Sequence, residues 1–296
     1  MAIRPPGKGT ELLQGAIDIH IHTRPCAYPR PYDDAETAAL AKEAGMRAIV
    51  VKDHHSPTAL RAYYAKKIVP GIEVFGGVVL NSYEGGLNPY IVEAEIMFGA
   101  KIVWMPTVTA ENHIRYFGSP SFTGIESSSK IPVEGMTVLD GEGKLKPELD
   151  PIFEMIRDAG LVLATGHLTL EETAALVDRA LEVGVEKILI QHVNFYIPDM
   201  KVEEQKRYAE RGVMIEYAYL PLTPLWYNHP PKTLAAWIGE VGPENAVLVT
   251  DVGNMFNSAP PEGLRVFFES LLMVGVSEAA IRTMAHENPA RLLDLD

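Results

Sequence analysis

The sequence predicts a (β/α)8 TIM barrel, an α/β fold in which eight parallel strands alternate with helices. Three observations predict it: apolar strand-like segments alternate with helical ones, histidines collect where those segments end, and the length suits one barrel. The chain has 296 residues, of which 47% are hydrophobic, enough to bury a large core. We therefore expect a single barrel domain over 1–296, with an insertion at about 110–147.

Eight short segments rich in Val and Ile are apolar on both faces, which is typical of buried parallel strands. Strict alternation with helices implies a parallel sheet, and eight such units imply closure into a barrel. An open, doubly wound sheet is the structural alternative. The eight segments lie at about 16–22, 47–53, 73–81, 101–107, 161–166, 187–192, 213–219 and 246–251.

Helical patterns separate these segments, and four of the helices end at a glycine that leads directly into the next strand. Glycine adopts a positive φ at a helix C-terminus at little cost, so this repeated ending favours a regular β-α architecture. The four glycines are Gly45, Gly160, Gly184 and Gly212. The helical patterns lie at 35–45, 57–67, 149–160, 169–184, 201–212 and 231–242.

The predicted insertion separates the fourth strand from its helix. Its first part, Gly118 to Lys130, is polar and rich in serine. Its second part, Ile131 to Lys146, alternates apolar residues around Asp140-Gly141-Glu142-Gly143, which predicts a hairpin. An excursion of this kind is typical of a lid or a subunit contact in a homo-oligomer, and a decorative surface hairpin is equally consistent with the sequence.

Charge and composition exclude several classes of partner. A formal charge of −13 argues against nucleic acid and anionic membrane surfaces, so the expected partner is a small-molecule substrate. The single cysteine, Cys26, excludes an intrachain disulfide and fits a reducing compartment. No apolar run is long enough to span a membrane, and the first fifteen residues do not resemble a signal peptide. These features predict a cytoplasmic protein.

Histidines gather at the C-terminal ends of the predicted strands, where six of the nine are found. Side chains two apart on a strand face the same way, so the pair that ends the first strand converges on one point. An aspartate ends the eighth strand. The residues concerned are His20 and His22 on the first strand, His54 and His55 on the second, His167 on the fifth, His192 on the sixth and Asp251 on the eighth.

A barrel brings the C-terminal ends of all its strands to one face, where active sites are built. Four imidazoles and one carboxylate then meet, a donor set suited to one or two divalent metal ions. Zn²⁺ is the first expectation, and Mn²⁺, Fe²⁺ and Ni²⁺ are alternatives. The predicted ligands are His20, His22, His167, His192 and Asp251.

This order of ligands on strands 1, 5, 6 and 8 resembles the amidohydrolase superfamily of metal-dependent hydrolases. The ending Asn288-Pro289-Ala290-Arg291-Leu292-Leu293 is similar to the C-terminal motif of that superfamily, and Asn288 is expected to cap a short helix. The resemblance covers the whole chain and is to a bacterial branch of the superfamily. It does not identify the substrate. It implies that the paired histidines and Asp251 hold the ion, while His167 and His192 hold a second ion or polarise the substrate.

One departure from the superfamily pattern concerns the residue that bridges two metals. Many members use a carboxylated lysine or a glutamate at the end of strand 4, but this chain has Trp104-Met105-Pro106-Thr107 there. Lys52 and His54 are in phase on strand 2 and offer a substitute. Lys52 would bridge two ions once carboxylated, clamp an anionic substrate, or pair with a carboxylate in a structural role.

Three further residues are candidates for second-metal or substrate binding. Arg24 follows the first strand closely enough to bind a substrate carboxylate with two hydrogen bonds, although a solvated role is the alternative. Asn81 and Glu84 follow the third strand and are expected to line the mouth of the barrel. Trp226, after the seventh strand, is expected to wall the cavity.

The function predicted from these residues is metal-assisted hydrolysis of an amide, cyclic amide, lactone or ester. A bound ion lowers the pKa of its water from 15.7 toward about 7. Asp251 is placed to take the proton from that water, and His192 or His167 to polarise the carbonyl.

Three other functions stay open at this stage. A metal-dependent decarboxylase would use similar ligands, with Arg24 or Lys52 as a carboxylate clamp. A phosphoesterase is a second alternative, because Asp53-His54 resembles the polymerase-and-histidinol-phosphatase family. That family usually ends its last strand with Asp-x-His, whereas this chain has Asp251-Val252-Gly253. A non-catalytic metal-binding or ligand-binding protein is the third and would require a closed set of ligands.

Overall fold

The computed structural model describes residues 7–122 and 134–295. In these two ranges, all eight predicted strands are present, and the third is split into two short pieces. The strands are β1 Ile17–His22, β2 Ala48–Lys52, β3 Glu73–Phe75, β4 Gly77–Val79, β5 Ile102–Trp104, β6 Val162–Ala164, β7 Ile188–Ile190, β8 Met214–Ala218 and β9 Ala246–Val249.

Helices connect the strands, and the six predicted helical segments are confirmed to within two or three residues. In the described part of the chain, five further helices lie outside the predicted ranges: α1 at the N-terminal end, α5 inside the insertion, and α4, α10 and α11. The helices are α1 Lys8–Leu13, α2 Asp34–Glu43, α3 Ala59–Ile68, α4 Pro89–Met97, α5 Glu111–Phe117, α6 Leu149–Ala159, α7 Leu170–Val183, α8 Val202–Ala209, α9 Pro231–Val241, α10 Pro260–Met273, α11 Glu278–Arg282 and α12 Asn288–Leu293.

All paired strands run parallel, in the orders β1-β2-β3 and β4-β5-β6-β7-β8-β9. The two sheets meet at Gly76, where Thr58 accepts a bond from the Gly77 N–H through Oγ1 and so interrupts the strand. The first and last strands are joined by two further hydrogen bonds. The Asp251 N–H donates to the His20 carbonyl at 2.9 Å, and the His22 N–H donates to the Val252 carbonyl at 2.9 Å. The predicted barrel architecture is therefore confirmed.

One apolar cluster fills the space enclosed by the strands, and a larger one lies between strands and helices. Ile17 and Ile19 of β1 belong to the inner cluster. The pairing of β1 with β2 shifts register between Asp18 and Ile21, as at a β-bulge. In a regular strand, His20 would face the opposite side of the sheet from Ile19. The bulge redirects the side chain that follows it, so His20 and Ile19 both face the inside of the barrel.

Helix termini carry the signals that the sequence predicted. Gly45, Gly160, Gly184 and Gly212 have φ of 81°, 63°, 93° and 81°, the left-handed conformation expected where a helix gives way to a strand. Capping boxes begin two of the helices, with Asp33 and Glu36 at α2 and Thr169 and Glu172 at α7. Within the described ranges, no helix is long and apolar enough to cross a membrane.

The insertion contains the predicted hairpin. Leu139 and Leu145 form an antiparallel bridge, and the Asp140 N–H donates to the Lys144 carbonyl at 2.7 Å. Most of the serine-rich part, residues 123–130, lies outside the described residues together with 131–133. The hairpin is preceded by α5, which lies against the mouth of the barrel.

The predicted capping role of Asn288 is wrong. A π-helical turn, Thr283–Glu287, runs directly into α12, so Asn288 is not at a free helix start. Its side-chain amide instead donates to the carbonyls of Pro243 and Ala246, at 2.8 and 2.7 Å. The residue fastens the C-terminal helix to the start of β9.

Candidate metal centre

Three buried side chains meet where the first and last strands join. His20 and His22 come from the end of β1, and Asp251 follows β9 with φ of 54°. Asp251 Oδ1 lies 3.0 Å from His20 Nε2 and 3.2 Å from His22 Nε2. Burial alone would raise the pKa of Asp251, but His20 and His22 hold it well below its usual range, so the group is a carboxylate at neutral pH.

The hydrogen bonds of His22 test whether a cation fits between these groups. Burial and the charge of Arg30 lower the pKa of His22 to about 3, so its ring is neutral at neutral pH and carries one proton. Nδ1 lies 3.1 Å from the Lys52 carbonyl and Nε2 faces the Asp251 carboxylate, and both of these oxygens only accept. Whichever ring nitrogen carries the proton, the other directs its lone pair at an oxygen lone pair. With the proton on Nδ1, a cation between Nε2 and Asp251 Oδ1 would remove this repulsion. The donor set fits a divalent metal.

Glu216 orients His20 from behind, a role the sequence analysis did not assign. Its Oε1 lies 3.0 Å from His20 Nδ1 and also accepts from the His192 N–H at 3.0 Å. A carboxylate behind a metal-binding imidazole fixes the ring and directs its other nitrogen toward the ion. The signal was present in the sequence, because Glu216 is the one charged residue within the apolar β8.

Lys52 extends from β2 into the same centre. Its Nζ lies 3.0 Å from His20 Nε2 and 5.5 Å from the centroid of the Trp104 ring. Burial lowers the pKa of Lys52 to about 8, so most molecules carry an ammonium at neutral pH. The side chain is 1% exposed, so its charge acts on the buried groups around it rather than on solvent.

His167 is held in one tautomer by a histidine that the sequence analysis left outside the site. His113 Nε2 lies 2.9 Å from the Ser121 carbonyl, so this nitrogen carries the proton of the neutral ring. His113 Nδ1 then accepts from His167 Nδ1 at 2.8 Å. Burial lowers the pKa of both rings, to about 4 for His113 and well below the usual range for His167. His167 Nε2 is thereby left with a free lone pair.

His192 and His54 complete a ring of imidazoles. His192 has φ of 26°, and its centroid lies 5.0 Å from that of His167 and 6.0 Å from that of His20. Its Nδ1 is buried without a hydrogen-bond partner among the described residues. His54 stacks on His22 at 4.6 Å and bonds Thr107 Oγ1 through Nδ1 at 2.9 Å. The five rings thus border one space, although only His20, His22 and Asp251 form the close cluster.

The histidines open into a cavity at the mouth of the barrel. Its wall combines aromatic rings with two cationic side chains, Lys52 and Arg30. Arg30 lies over the Tyr28 ring at 5.7 Å, and its Nε is buried without a hydrogen-bond partner in the described part of the chain. The lining residues are His22, Tyr28, Arg30, Lys52, His54, Phe122, His167, His192, Phe195, Leu220, Trp226, Asp251 and Asn254.

Three of the candidates do not line the cavity. Arg24 is exposed and bonds Glu36 at 2.8 Å. Asn81 is buried behind the wall, where its amide donates to the His54 carbonyl at 2.9 Å and so positions that residue. Glu84 is buried farther out. The loop arginine that reaches the cavity is Arg30, six residues beyond the predicted one.

Solved structures with the same fold belong to known enzymes. The amidohydrolase from Pseudomonas aeruginosa has a TM-score of 0.60 and 14% identity, over 96% of this chain and 98% of that one. The putative 2-pyrone-4,6-dicarboxylic acid hydrolase from Pseudomonas putida gives 0.58 and 15%, over 95% and 98%. The 2,6-dihydroxybenzoate decarboxylase from Rhizobium gives 0.55 and 13%, over 96% and 99%. The chain thus has the fold of the amidohydrolase superfamily, as its sequence resemblance predicted.

Sequence comparison assigns the chain to a family. The model described as "Family of unknown function (DUF6282)" matches residues 15–216, and the chain belongs to this family. The matched range contains the histidines of the centre and Glu216, while Asp251 lies beyond it. A search among curated proteins finds no match.

Proposed function

We propose that the protein is a metal-dependent hydrolase of a small anionic molecule. The observation that carries this proposal is the contact of Asp251 Oδ1 with His20 Nε2 and His22 Nε2, at 3.0 and 3.2 Å. This cluster of two imidazoles and a carboxylate borders an open cavity through His22 and Asp251. A purely structural metal site would be closed, whereas a catalytic one keeps a position for substrate.

His20, His22 and Asp251 would hold a divalent ion, with Zn²⁺ as the first candidate. Such an ion supplies Lewis acidity, which polarises a substrate oxygen and makes water a competent nucleophile at neutral pH. Asp251 is ionised and has a second carboxylate oxygen available, so it accepts the proton of the attacking water and returns it to the leaving group. Glu216 keeps His20 oriented throughout.

His167 and His192 line the same cavity as His22, with their ring centroids 5.0 Å apart. The lone pair on His167 Nε2 accepts a proton, or holds a second ion, without any change of tautomer. His192 lines the same cavity and would face the reacting group there, while its Nδ1 is buried without a partner in the described part of the protein. Lys52 places a positive charge beside His20 and stabilises negative charge that develops on a substrate oxygen.

The cavity wall supports an anionic substrate with a flat apolar body. Arg30 and Lys52 supply two positive charges, and the buried guanidinium nitrogen of Arg30 has no protein acceptor among the described residues. The rings of Tyr28, Phe122 and Trp226 form the rest of the wall. Arginine suits carboxylates because its planar fork matches both oxygens.

A decarboxylase is the second candidate, and the same two cations favour it. Lys52 lies at the metal centre, so a carboxylate clamped there would be near the ion rather than at the entrance. A substrate carboxylate held at the centre would leave as CO₂, and a proton would take its place on the carbon that retains the electron pair. A substrate whose anionic group binds Arg30 at the mouth of the cavity would instead place a different bond at the centre, where it could be hydrolysed.

A product analysis tests the two proposals. Protein stripped with a chelator and reloaded with Zn²⁺, Mn²⁺, Fe²⁺ or Ni²⁺ is screened against lactones, amides, esters and aromatic carboxylates in H₂¹⁸O. Incorporation of ¹⁸O without release of CO₂ supports hydrolysis, and release of CO₂ without ¹⁸O in the organic product supports decarboxylation. Turnover that persists in the metal-free protein and in the His20→Ala/His22→Ala variant would contradict both.

A further inference from the structure

A second group of metal-binding residues lies behind the cavity wall. Cys26 follows β1, and Asp53 and His55 follow β2. One ligand atom from each lies within 4.8 Å of the other two. None of the three lines the cavity of the His20 centre, and the mechanism above does not use them.

The distance between the imidazole and the carboxylate of this group matches tetrahedral coordination. His55 Nδ1 lies 3.5 Å from Asp53 Oδ1 and makes no hydrogen bond within the described ranges. Ligands at 2.0–2.2 Å on a tetrahedral ion are separated by ~3.3–3.5 Å. Arg61 holds the other oxygen, Asp53 Oδ2, at 3.1 Å, while Oδ1 faces the imidazole and also accepts from the His55 backbone N–H at 2.8 Å. Outer partners of this kind commonly orient metal-binding carboxylates.

A buried glutamate provides an independent indication of a cation. Glu84 is 8% exposed, and neither of its carboxylate oxygens has a hydrogen-bond partner among the described residues. The ring of Tyr83, the preceding residue, has its centroid 4.6 Å from that of His55, so Glu84 follows directly on a residue packed against the same cluster. A buried carboxyl without partners is costly and calls for a compensating group.

We propose that Cys26, Asp53 and His55 bind a second divalent ion, separate from the His20 centre, with the buried carboxyl group of Glu84 nearby. The combination of thiolate, imidazole and carboxylate is a zinc donor set. This inference does not depend on the proposed hydrolase activity.

The position of this ion suggests a structural task. The Tyr28 ring lies between the two centres, with its centroid 4.8 Å from that of His55 and 5.9 Å from that of His54. Tyr28 and Arg30 both line the cavity and lie on the loop that begins near Cys26. An ion shared by this loop and the end of β2 would fix the loop against the barrel.

Cobalt spectroscopy tests the proposal because the chain has a single cysteine. Thiolate bound to Co²⁺ gives an intense charge-transfer band in the near ultraviolet, and the His20 centre contains no sulfur ligand. Metal-free wild type and the His20→Ala/His22→Ala variant are titrated with Co²⁺ and then with Zn²⁺. Cys26→Ser and His55→Ala are added to the double variant, and near-ultraviolet circular dichroism checks that each is folded.

We expect the band in wild type and in the double variant, at one Co²⁺ per chain in the latter, and its displacement by Zn²⁺. Cys26→Ser should abolish it, and His55→Ala should weaken binding by more than the roughly 10–100-fold that loss of an outer partner costs. Wild type that binds Co²⁺ without this band would overturn the proposal, whether or not any variant folds. An unchanged band in His55→Ala would overturn the ligand set.

Discussion

Asp251 is the residue on which the proposed chemistry depends most directly. Asn has nearly the same shape but cannot take a proton, so Asp251→Asn should fold normally and lose activity by about 10²–10⁴-fold, the usual worth of a positioned general base. The check is turnover at saturating metal. Recovery to near wild-type turnover under those conditions would show that Asp251 serves only as a metal ligand and not as a general base.

Arg30 offers a test of substrate charge with a matched control on the same loop. Arg30→Ala removes a charged donor from the cavity wall. It should raise the KM for an anionic substrate by about 10–100-fold, because hydrogen bonds to charged groups contribute roughly 1.5–3 kcal/mol. Arg24→Ala should change KM less than twofold, since Arg24 is exposed and bonds Glu36. Equal effects of the two substitutions in steady-state kinetics would exclude a substrate-binding role for Arg30.

Periodicity explains which site residues the sequence could reveal. His20, His22 and Lys52 lie on strands, where side-chain direction follows from spacing, and the structure brings all three to the centre. Arg30 lies in an irregular loop, where distance along the chain does not determine direction. The sequence analysis therefore selected Arg24, the arginine nearest to His22 along the chain.

At the scale of elements, helix α5 acts on the metal centre through His113. His113→Ala would free His167 Nδ1 and release the tautomer that exposes the lone pair on Nε2. We expect kcat or metal affinity to fall by about 10–100-fold, as for other partners of metal-site histidines. His113→Asn, which retains a side-chain acceptor, should recover part of the loss. Wild-type kinetics and zinc affinity in His113→Ala would contradict this role.

Glu95 of α4 links two helices and makes stability depend on pH. Its Oε2 accepts from the Ala59 N–H at the start of α3 at 3.0 Å, while burial raises the pKa of Glu95 to about 6. A carboxyl whose pKa is raised by folding favours the native state below its unfolded pKa, and that contribution is lost as pH rises through the folded pKa.

The free energy of unfolding should accordingly fall by about 1–2 kcal/mol between roughly pH 4.5 and 6 through this group alone. Glu95→Gln keeps an oxygen for Ala59 but cannot ionise, so its curve should be flatter over that interval. Urea unfolding of both proteins across the pH range measures the difference. Parallel curves would show that Glu95 does not titrate in this way.

The elements themselves were more predictable than their details. Eight apolar segments identified the strands, because a segment buried on both faces leaves a continuous signal in the sequence. The break at Gly76 and the register shift after Asp18 left no such signal, since both arise from contacts between distant segments. Helix α5 is short and lies in a polar stretch, so its amphipathic pattern was too brief to detect.

For the whole molecule, metal removal is expected to lower thermal stability. A ligand that binds only the native state adds about 2.7 kcal/mol when present at 100 times its Kd. Chelation should thus lower Tm by several degrees in wild type and by less in His20→Ala/His22→Ala. Differential scanning calorimetry of both proteins measures this. An equal loss in both would show that the His20 centre contributes no metal-dependent stability.

The contact between β1 and Asp251 also determines at what stage of protein synthesis the centre can form. His22 and Asp251 are 229 positions apart, yet they share one contact. On a ribosome, the paired histidines emerge long before the carboxylate that completes the set. A growing chain consequently cannot assemble this centre until its last strand has docked beside its first. Loading of the proposed metal would therefore be a late event of biosynthesis, and a chain interrupted before that strand is made would be released without the centre.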